Sequence, residues 1–213
     1  MILPCPNIHE KNAWNEKKII AGIDEAGRGP LCGPVVIGAV ILPINTAPDF
    51  LADSKKITEK QRLKAFEWIT KHCLYTTVII SPREIDTYNI YQSTIRGMRQ
   101  AYIQLNQIAQ RAGRGPISHL VIDAMPLKIE KPSLTITPII KGESASSSIA
   151  AASIVAKVIR DQITCDLETM FPYFSLSKHK GYGTAQHQTE LALHGQSIMH
   201  RKSFVLKSKK TSL

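Results

Sequence analysis

The sequence predicts an α/β fold in which helices flank a mixed sheet, and three observations support this. Short apolar runs with the composition of β-strands are separated by longer segments whose apolar residues recur at helical spacing. Strands come first along the chain, and strands and helices then alternate, which favours a sheet covered by helices. The 213 residues, of which 43% are hydrophobic, are enough for one domain with a substantial core.

The first half of the chain contains three predicted strands and one predicted helix. Residues 18–23 (KIIAGI) and 35–42 (VVIGAVIL) are short and apolar, and a glycine-rich turn joins them. Residues 58–72 predict a helix, because Thr58 can cap its start and the apolar residues that follow recur at helical spacing. A third strand is predicted at residues 74–80 (LYTTVII).

The second half predicts a long helical region from Pro82 to Arg111, with a break or kink near Asn89, before a turn that contains two glycines. The other predicted elements are strands at 119–122 and 134–140, a helix at 148–170 and, after a loop from Phe171, a last helix near 184–194. We expect only about the first 17 and the last seven residues to be loosely ordered.

The charge of the chain favours a polyanionic partner. Lysine and arginine total 27 against 17 aspartates and glutamates, for a formal net charge of +10, which leaves nucleic acid and an anionic membrane open. No apolar run reaches the roughly 18 to 20 residues of a membrane span, and the N-terminus lacks a signal-peptide core. We therefore expect a cytoplasmic protein without membrane attachment. Four scattered cysteines predict reduced thiols rather than a zinc cluster or disulfides: Cys5, Cys32, Cys73 and Cys165.

Four carboxylates follow predicted strands. Asp24 and Glu25 come after the first strand, Asp123 follows HLVI, and Glu143 comes soon after LTITPII. Residues past the carboxyl ends of strands gather at one rim of such a sheet, where carboxylates can hold the divalent ions that hydrolyse phosphodiesters. A single acidic residue after a strand is usually a turn former or a helix cap. From composition and spacing alone, a metal site and a structural role remain equally open.

Five sequence blocks resemble the bacterial ribonuclease HII family. They are GIDEAGRGPLCGPVV, DSKK, AASIVAKVIRD, KHKGYGT and MHRKSF, and they extend from about Ile19 to Phe204 in family order. The resemblance implies the ribonuclease H fold, a need for divalent metal, and hydrolysis on the 5′ side of a ribonucleotide that leaves 3′-hydroxyl and 5′-phosphate ends. The implied partners are RNA/DNA hybrids and duplex DNA with single embedded ribonucleotides, and we expect a monomer.

The resemblance also assigns the metal ligands. The family's carboxylates correspond to Asp24, Glu25, Asp123 and Glu143, which would hold two Mg²⁺ or Mn²⁺ ions. Family members usually have aspartate where this chain has Glu143, which is one methylene longer. Asp161, in the block VIRD, is the alternative fourth ligand, but a helix from residue 149 would place it about 18 Å further along.

The remaining motifs have implied substrate roles and simpler structural interpretations. In the family, the backbone of Gly27, Arg28 and Gly29 reads the 2′-hydroxyl, and the tyrosine that corresponds to Tyr182 stacks on the next deoxyribose. We therefore expect cleavage at RNA-to-DNA junctions. A tight turn, a solvated loop or a surface ring would explain the same residues structurally. Other implied phosphate contacts are Ser54, Lys55 and Lys180. The segment His200 to Ser203 and the tail residues Lys207, Lys209 and Lys210 could extend the phosphate-binding surface or could equally be a solvated basic end.

Two alternative functions remain compatible with the sequence. A ribonuclease HIII-like enzyme would prefer longer RNA stretches and generally has an additional N-terminal domain, whereas about 18 residues precede the first predicted strand here. A duplex-binding protein without catalysis would follow if Glu143 disables the metal site. We divide the chain into a variable N-terminal segment (1–17), a ribonuclease H-like catalytic domain (18–170), a C-terminal helical extension for substrate binding (171–206) and a basic tail (207–213).

Overall fold

The computed structural model describes residues 5–51, 54 and 56–204, and a five-stranded sheet lies at its centre. The strands are β1 (Ile19–Ala26), β2 (Val35–Ile41), β3 (Leu74–Ile80), β4 (Ile117–Asp123) and β5 (Thr135–Ile139). The helices are α1 (Ile8–Asn15), α2 (Glu59–His72), α3 (Pro82–Arg111), α4 (Ser147–Met170), α5 (Leu176–His179) and α6 (Ala185–His194), and a 3₁₀ turn spans Gly142–Ser144.

The sheet is mixed, as predicted. Its strand order is β3-β2-β1-β4-β5, with β1 antiparallel to β2 and β2 antiparallel to β3. Strand β4 is parallel to both β1 and β5. The carboxyl ends of β1, β4 and β5 therefore lie at the same edge, which is where the acidic residues were expected.

Helices cover both faces of the sheet. Helix α3 packs its buried side chains against one face, and α2 and α4 pack against the other. Helix α4 lies unusually close to the sheet at two glycines. A Cβ atom on Gly22 would lie 2.1 Å from the Ser148 carbonyl carbon, and one on Gly38 would lie 2.3 Å from the Ala152 carbonyl oxygen. Only glycine allows this approach, which places the first turns of α4 directly against β1 and β2.

Two predicted local features are confirmed. Thr58 caps α2, and its side chain and backbone form a reciprocal capping box with Gln61. Asn89 interrupts α3 with φ 62° and ψ 164°, and its side-chain oxygen accepts a hydrogen bond from the Gln92 N–H at 3.0 Å. Asn89 therefore ends the first part of α3 and caps the second.

The expectation of a loosely ordered N-terminus is wrong for residues 5–17. Helix α1 occupies most of this segment, and Ala13 packs in a cluster with Ile20, Val121 and Ile149. Glu10 is fully buried. Sequence periodicity missed the helix because polar contacts to the start of α4 hold it. The basic tail, residues 207–213, lies outside the described residues.

The state of the cysteines and the character of the helices are two further features of the fold. All four cysteines are free thiols, as predicted. In the described part of the chain, no helix combines the length and apolarity that a membrane span requires.

Candidate active site

Strands β1 and β4 carry three of the predicted carboxylates to one edge of the sheet. Strand β1 continues to Ala26, so Asp24 and Glu25 lie within the strand and not after it, contrary to the prediction. The reason is that β2 keeps pairing with β1 there, with Asp24 opposite Gly38 and Glu25 opposite Ile37. Asp123 is the last residue of the neighbouring parallel strand β4.

A short turn brings Glu143 to the same edge. Ligand oxygens of Asp24, Asp123 and Glu143 all lie within 4.8 Å of one another. Asp123 Oδ1 accepts a hydrogen bond from the Gly142 N–H at 2.8 Å, which ties the end of β4 to the turn. Glu143 Oε2 accepts hydrogen bonds from the N–H (3.1 Å) and the hydroxyl (3.3 Å) of Ser54. Asp123 and Glu143 are therefore oriented by hydrogen bonds from the protein itself.

Asp24 is the most buried of these three carboxylates. It is 3% exposed, and its Oδ2 atom is buried without a hydrogen-bond partner among the described residues. Burial raises the pKa of Asp24 well above its usual value, and the charges of Glu25 and Glu143 raise it further. Such an arrangement favours either a bound proton or a bound cation. The orphaned oxygen and the all-carboxylate donor set fit a hard divalent cation such as Mg²⁺ or Mn²⁺.

Glu25 and Asp161 lie outside this cluster. Adjacent residues of a strand point to opposite faces, so Glu25 diverges from Asp24, and its Oε1 is 3.4 Å from the Arg28 guanidinium. Asp161 forms an ion pair with Lys157 at 2.7 Å on α4. The geometry thus favours Glu143 over Asp161 as a metal ligand and leaves Glu25 at the margin of the cluster.

A pocket of about 630 Å³ adjoins the cluster and contains most of the predicted substrate residues. Tyr182 is 45% exposed, and its ring faces Gly29, where an added Cβ would lie 3.6 Å from Tyr182 Cε1. Ser54 lines the pocket while it also contacts Glu143. The predicted residues in the lining are Glu25, Gly27, Arg28, Gly29, Ser54 and Tyr182.

Among the described residues, one predicted substrate residue, Lys180, lies outside this pocket. Lys180 directs its ammonium group to Cys165 Sγ at 2.9 Å, beside a different and smaller concavity. Lys55 lies outside the described residues.

Sequence reasoning missed three further residues of the pocket. Ser153, Lys157 and Arg160 of α4 all line it. Their spacing of four and then three residues puts them on one face of a helix, a signal that was present in the block AASIVAKVIRD.

Two buried arginines donate hydrogen bonds to the backbone carbonyl groups of the glycine-rich turn, residues 27–34. Arg201 donates hydrogen bonds to the carbonyl oxygens of Gly27 (2.6 Å), Arg28 (2.9 Å) and Gly33 (2.9 Å). Arg160 donates to the carbonyl oxygens of Pro34 and Lys180, at 3.1 and 3.0 Å. The turn and the segment that carries Tyr182 are therefore joined through guanidinium groups.

The interpretation of His200 to Ser203 as a solvated basic end, or as part of a phosphate-binding surface, is wrong for its first two residues. His200 and Arg201 are 2% and 0% exposed. Arg201 is buried because the carbonyl groups of the turn need donors and its guanidinium supplies them. His200 is buried in hydrogen bonds with Ser197 and His187. Lys202 and Ser203 are exposed, and their N–H groups donate to Asp86 of α3.

Two buried histidines, His187 and His200, are hydrogen-bonded to each other near Tyr182, and a third, His179, stacks on His187. The Ser197 N–H donates to His200 Nδ1 at 2.9 Å, so the neutral His200 ring carries its proton on Nε2. That proton is donated to His187 Nε2 at 3.0 Å, and His187 Nδ1 donates to the Tyr182 carbonyl oxygen at 2.9 Å. His179 stacks on His187 with ring centroids 4.2 Å apart. The arrangement requires neutral His187 and His200 rings.

This group predicts that stability falls at acid pH. Burial, followed by the charge of His187, lowers the pKa of His200 from 6.5 to about 4. Stability is therefore fully present above the unfolded value near 6.5 and is lost as the pH falls towards 4, by about 3 kcal/mol. Urea unfolding at pH 7.5 and at pH 4.5 measures this loss. A His200→Gln variant should lose much of the pH dependence, whereas the exposed control His72→Gln should keep it; equal dependence in both variants would contradict the assignment.

Comparisons with known proteins identify the family and agree with the fold. A sequence model of the ribonuclease HII family matches residues 21–207. Ribonuclease HII of Bacillus cereus (strain B4264) is 45% identical over 197 residues, which cover 91% of this chain and 72% of the relative. Ribonuclease HII of Francisella philomiragia is 43% identical over 187 residues, covering 87% and 96%. The crystal structure of ribonuclease H2 from Pyrococcus horikoshii OT3 has a similar fold, with a TM-score of 0.69 and 24% sequence identity. The match covers 87% of this chain and 93% of that chain.

Proposed function

This chain belongs to the ribonuclease HII family and is an endoribonuclease, and on that basis we propose that it nicks duplexes on the 5′ side of ribonucleotides. The proposed substrates are RNA/DNA hybrids and duplex DNA that contains single ribonucleotides. The products are a 3′-hydroxyl and a 5′-phosphate. Membership of this family, together with the arrangement of Tyr182, favours this over the ribonuclease HIII-like alternative.

One observation supports the junction specificity most strongly. The exposed Tyr182 ring faces Gly29 in a pocket beside the acidic cluster. Glycine backbone can approach a 2′-hydroxyl closely. The apolar face of an aromatic ring favours contact with a deoxyribose, which has no 2′-hydroxyl. Two adjacent nucleotides, the first with a 2′-hydroxyl and the second without, suit this pair of surfaces.

The acidic cluster supplies the proposed chemistry. Asp24, Asp123 and Glu143 would hold divalent cations, with Glu25 at the margin, and we propose that two Mg²⁺ or Mn²⁺ ions participate. Bound ions of this kind supply water activation and charge neutralisation at the phosphate. The chain's own contribution is orientation, since Gly142 fixes Asp123 and Ser54 fixes Glu143. The basic chain attracts the duplex through its phosphates.

A panel of three duplexes tests the proposal. The duplexes are DNA with one ribonucleotide, an RNA/DNA hybrid and the all-DNA control, each with Mg²⁺, with Mn²⁺ or with chelator. We expect nicking of the first two in at least one metal and none with chelator or in the all-DNA duplex. Tight binding of the ribonucleotide-containing duplexes without nicking in either metal would identify a binding protein instead.

The length of Glu143 predicts a shift in metal preference. Mg²⁺ requires near-ideal octahedral geometry, and an additional methylene moves the carboxylate from the position of the family's usual aspartate. We expect Glu143→Asp to raise the ratio of Mg²⁺-supported to Mn²⁺-supported activity by roughly three- to tenfold, because small misplacements at a reacting centre are costly. Single-turnover nicking rates in each metal measure the ratio, with Glu143→Gln as the variant that loses the charge. An unchanged ratio in Glu143→Asp would refute the prediction.

A further inference from the structure

The N-terminal segment 5–10 contacts both the turn that carries Glu143 and the start of helix α4, although no motif predicted a role for it. The Cys5 thiol donates to the Glu143 carbonyl oxygen at 3.4 Å. The Asn7 N–H donates to the Ala145 carbonyl oxygen at 3.3 Å. These contacts join residues that are more than 130 positions apart in the chain.

The same segment also satisfies the start of helix α4. Asn7 Oδ1 accepts a hydrogen bond from the Ser147 N–H at 2.7 Å, and Glu10 Oε1 accepts from the Ser148 N–H at 3.0 Å. The Ser146 hydroxyl also donates to Glu10 Oε1. The first N–H groups of a helix have no partner within the helix, and a negative charge beside them is favourable. Helix α1 therefore provides external partners for α4 through a carboxylate that is 0% exposed.

The link between this contact and Glu143 is short and rigid. Only three residues separate Glu143 from Ser147, and hydrogen bonds from Ser144 to Lys141 and from Ala145 and Ser146 to Gly142 close the turn between them. A displacement of the start of α4 would therefore move Glu143 directly. Gly142 also donates to Asp123, so the same movement would disturb a second carboxylate.

We propose that Asn7 and Glu10 are positioning residues that fix Glu143 for divalent-cation binding. The inference rests on the proposed function, because it assumes that the acidic cluster binds the cation. Residues that orient a metal ligand through hydrogen bonds commonly change metal affinity by tenfold or more when they are replaced. The segment is thus part of the active-site support and not a variable appendage.

Mn²⁺ titration of the full chain by calorimetry tests the proposal without a substrate. We expect Glu10→Ala to weaken Mn²⁺ binding by roughly tenfold, and Glu10→Gln, which keeps an acceptor oxygen for the Ser148 N–H, to retain most of the affinity. Glu16→Gln is the matched control, because Glu16 lies just past the other end of α1 in an exposed pair with Lys18. Faster hydrogen exchange of the amides at 142–149 in Glu10→Ala is the metal-free readout.

A second pair of variants separates positioning from general destabilisation. Leu105→Ala removes a buried side chain of α3 on the other face of the sheet, and we expect it to lose stability while its Mn²⁺ affinity stays within about twofold of the wild type. Asp123→Asn should lose Mn²⁺ binding. If Asp123→Asn loses the cation while Glu10→Ala binds it normally, or if Leu105→Ala weakens binding as much as Glu10→Ala, the positioning role is wrong and the metal site stands. If the wild type binds no Mn²⁺, both are wrong.

Discussion

Replacement of Asp123 by asparagine should reduce nicking by roughly 10³-fold or more and leave duplex binding within about twofold of the wild type. Asparagine keeps an oxygen that can accept the Gly142 N–H, so the turn should persist, but the negative charge needed beside the phosphate is lost. Binding survives because phosphate contacts outside the cluster supply most of the affinity. Single-turnover nicking and fluorescence anisotropy measure the two quantities on the same duplex.

Stability provides a further readout for the same variant. The charge of Asp123 contributes to the raised pKa of the buried Asp24 carboxyl, behind burial and the charges of Glu25 and Glu143. Asp123→Asn should therefore unfold no more easily than the wild type without metal, as is common for residues selected for activity. The exposed Asp166→Asn serves as the matched control and should nick normally. Near-normal turnover of Asp123→Asn would refute the assignment of the active site.

Replacement of Arg201 by methionine should cost about 3–5 kcal/mol of unfolding free energy. The variant leaves the carbonyl oxygens of Gly27, Arg28 and Gly33 without their buried donor, and methionine fills much of the vacated volume. At temperatures where the variant stays folded, we also expect a weaker preference for a ribonucleotide over a deoxyribonucleotide, because the turn that faces Tyr182 loses its support.

Two controls accompany the Arg201 prediction. Arg201→Lys should fall between the wild type and the methionine variant, since a single ammonium group cannot reach all three carbonyl oxygens. Lys202→Met, at the exposed neighbouring position, should change stability by less than about 0.5 kcal/mol. A loss below about 1 kcal/mol in Arg201→Met would show that the buried hydrogen bonds contribute little.

The sheet and the carboxylate cluster could be predicted because both follow from local patterns. Apolar runs gave the strands, and parallel strands bring their carboxyl ends to one edge, so Asp123 and Glu143 were expected near Asp24. The exact end of β1 was not predicted, because β1 continues to pair with β2 at the polar residues Asp24 and Glu25. Alternation along the extended strand also explains why Glu25 diverges from the other three.

The rest of the site depends on contacts between distant parts of the chain, which local patterns do not record. The donors on Arg201 meet carbonyl oxygens more than 165 residues away. Glu10 meets the start of α4 at a separation of 138 residues. In each case the partner becomes visible only once the chain is folded.

The most direct test of the proposed function is the position and chemistry of the nick. A duplex DNA with one ribonucleotide, labelled at either end of the ribonucleotide-containing strand, should be cut by the wild-type protein at a single bond on the 5′ side of the ribonucleotide. The products should carry a 3′-hydroxyl that a polymerase extends and a 5′-phosphate that a phosphatase removes. A nick on the 3′ side would contradict the proposed position of cleavage, and a cyclic-phosphate end would contradict metal-assisted hydrolysis at Asp24, Asp123 and Glu143.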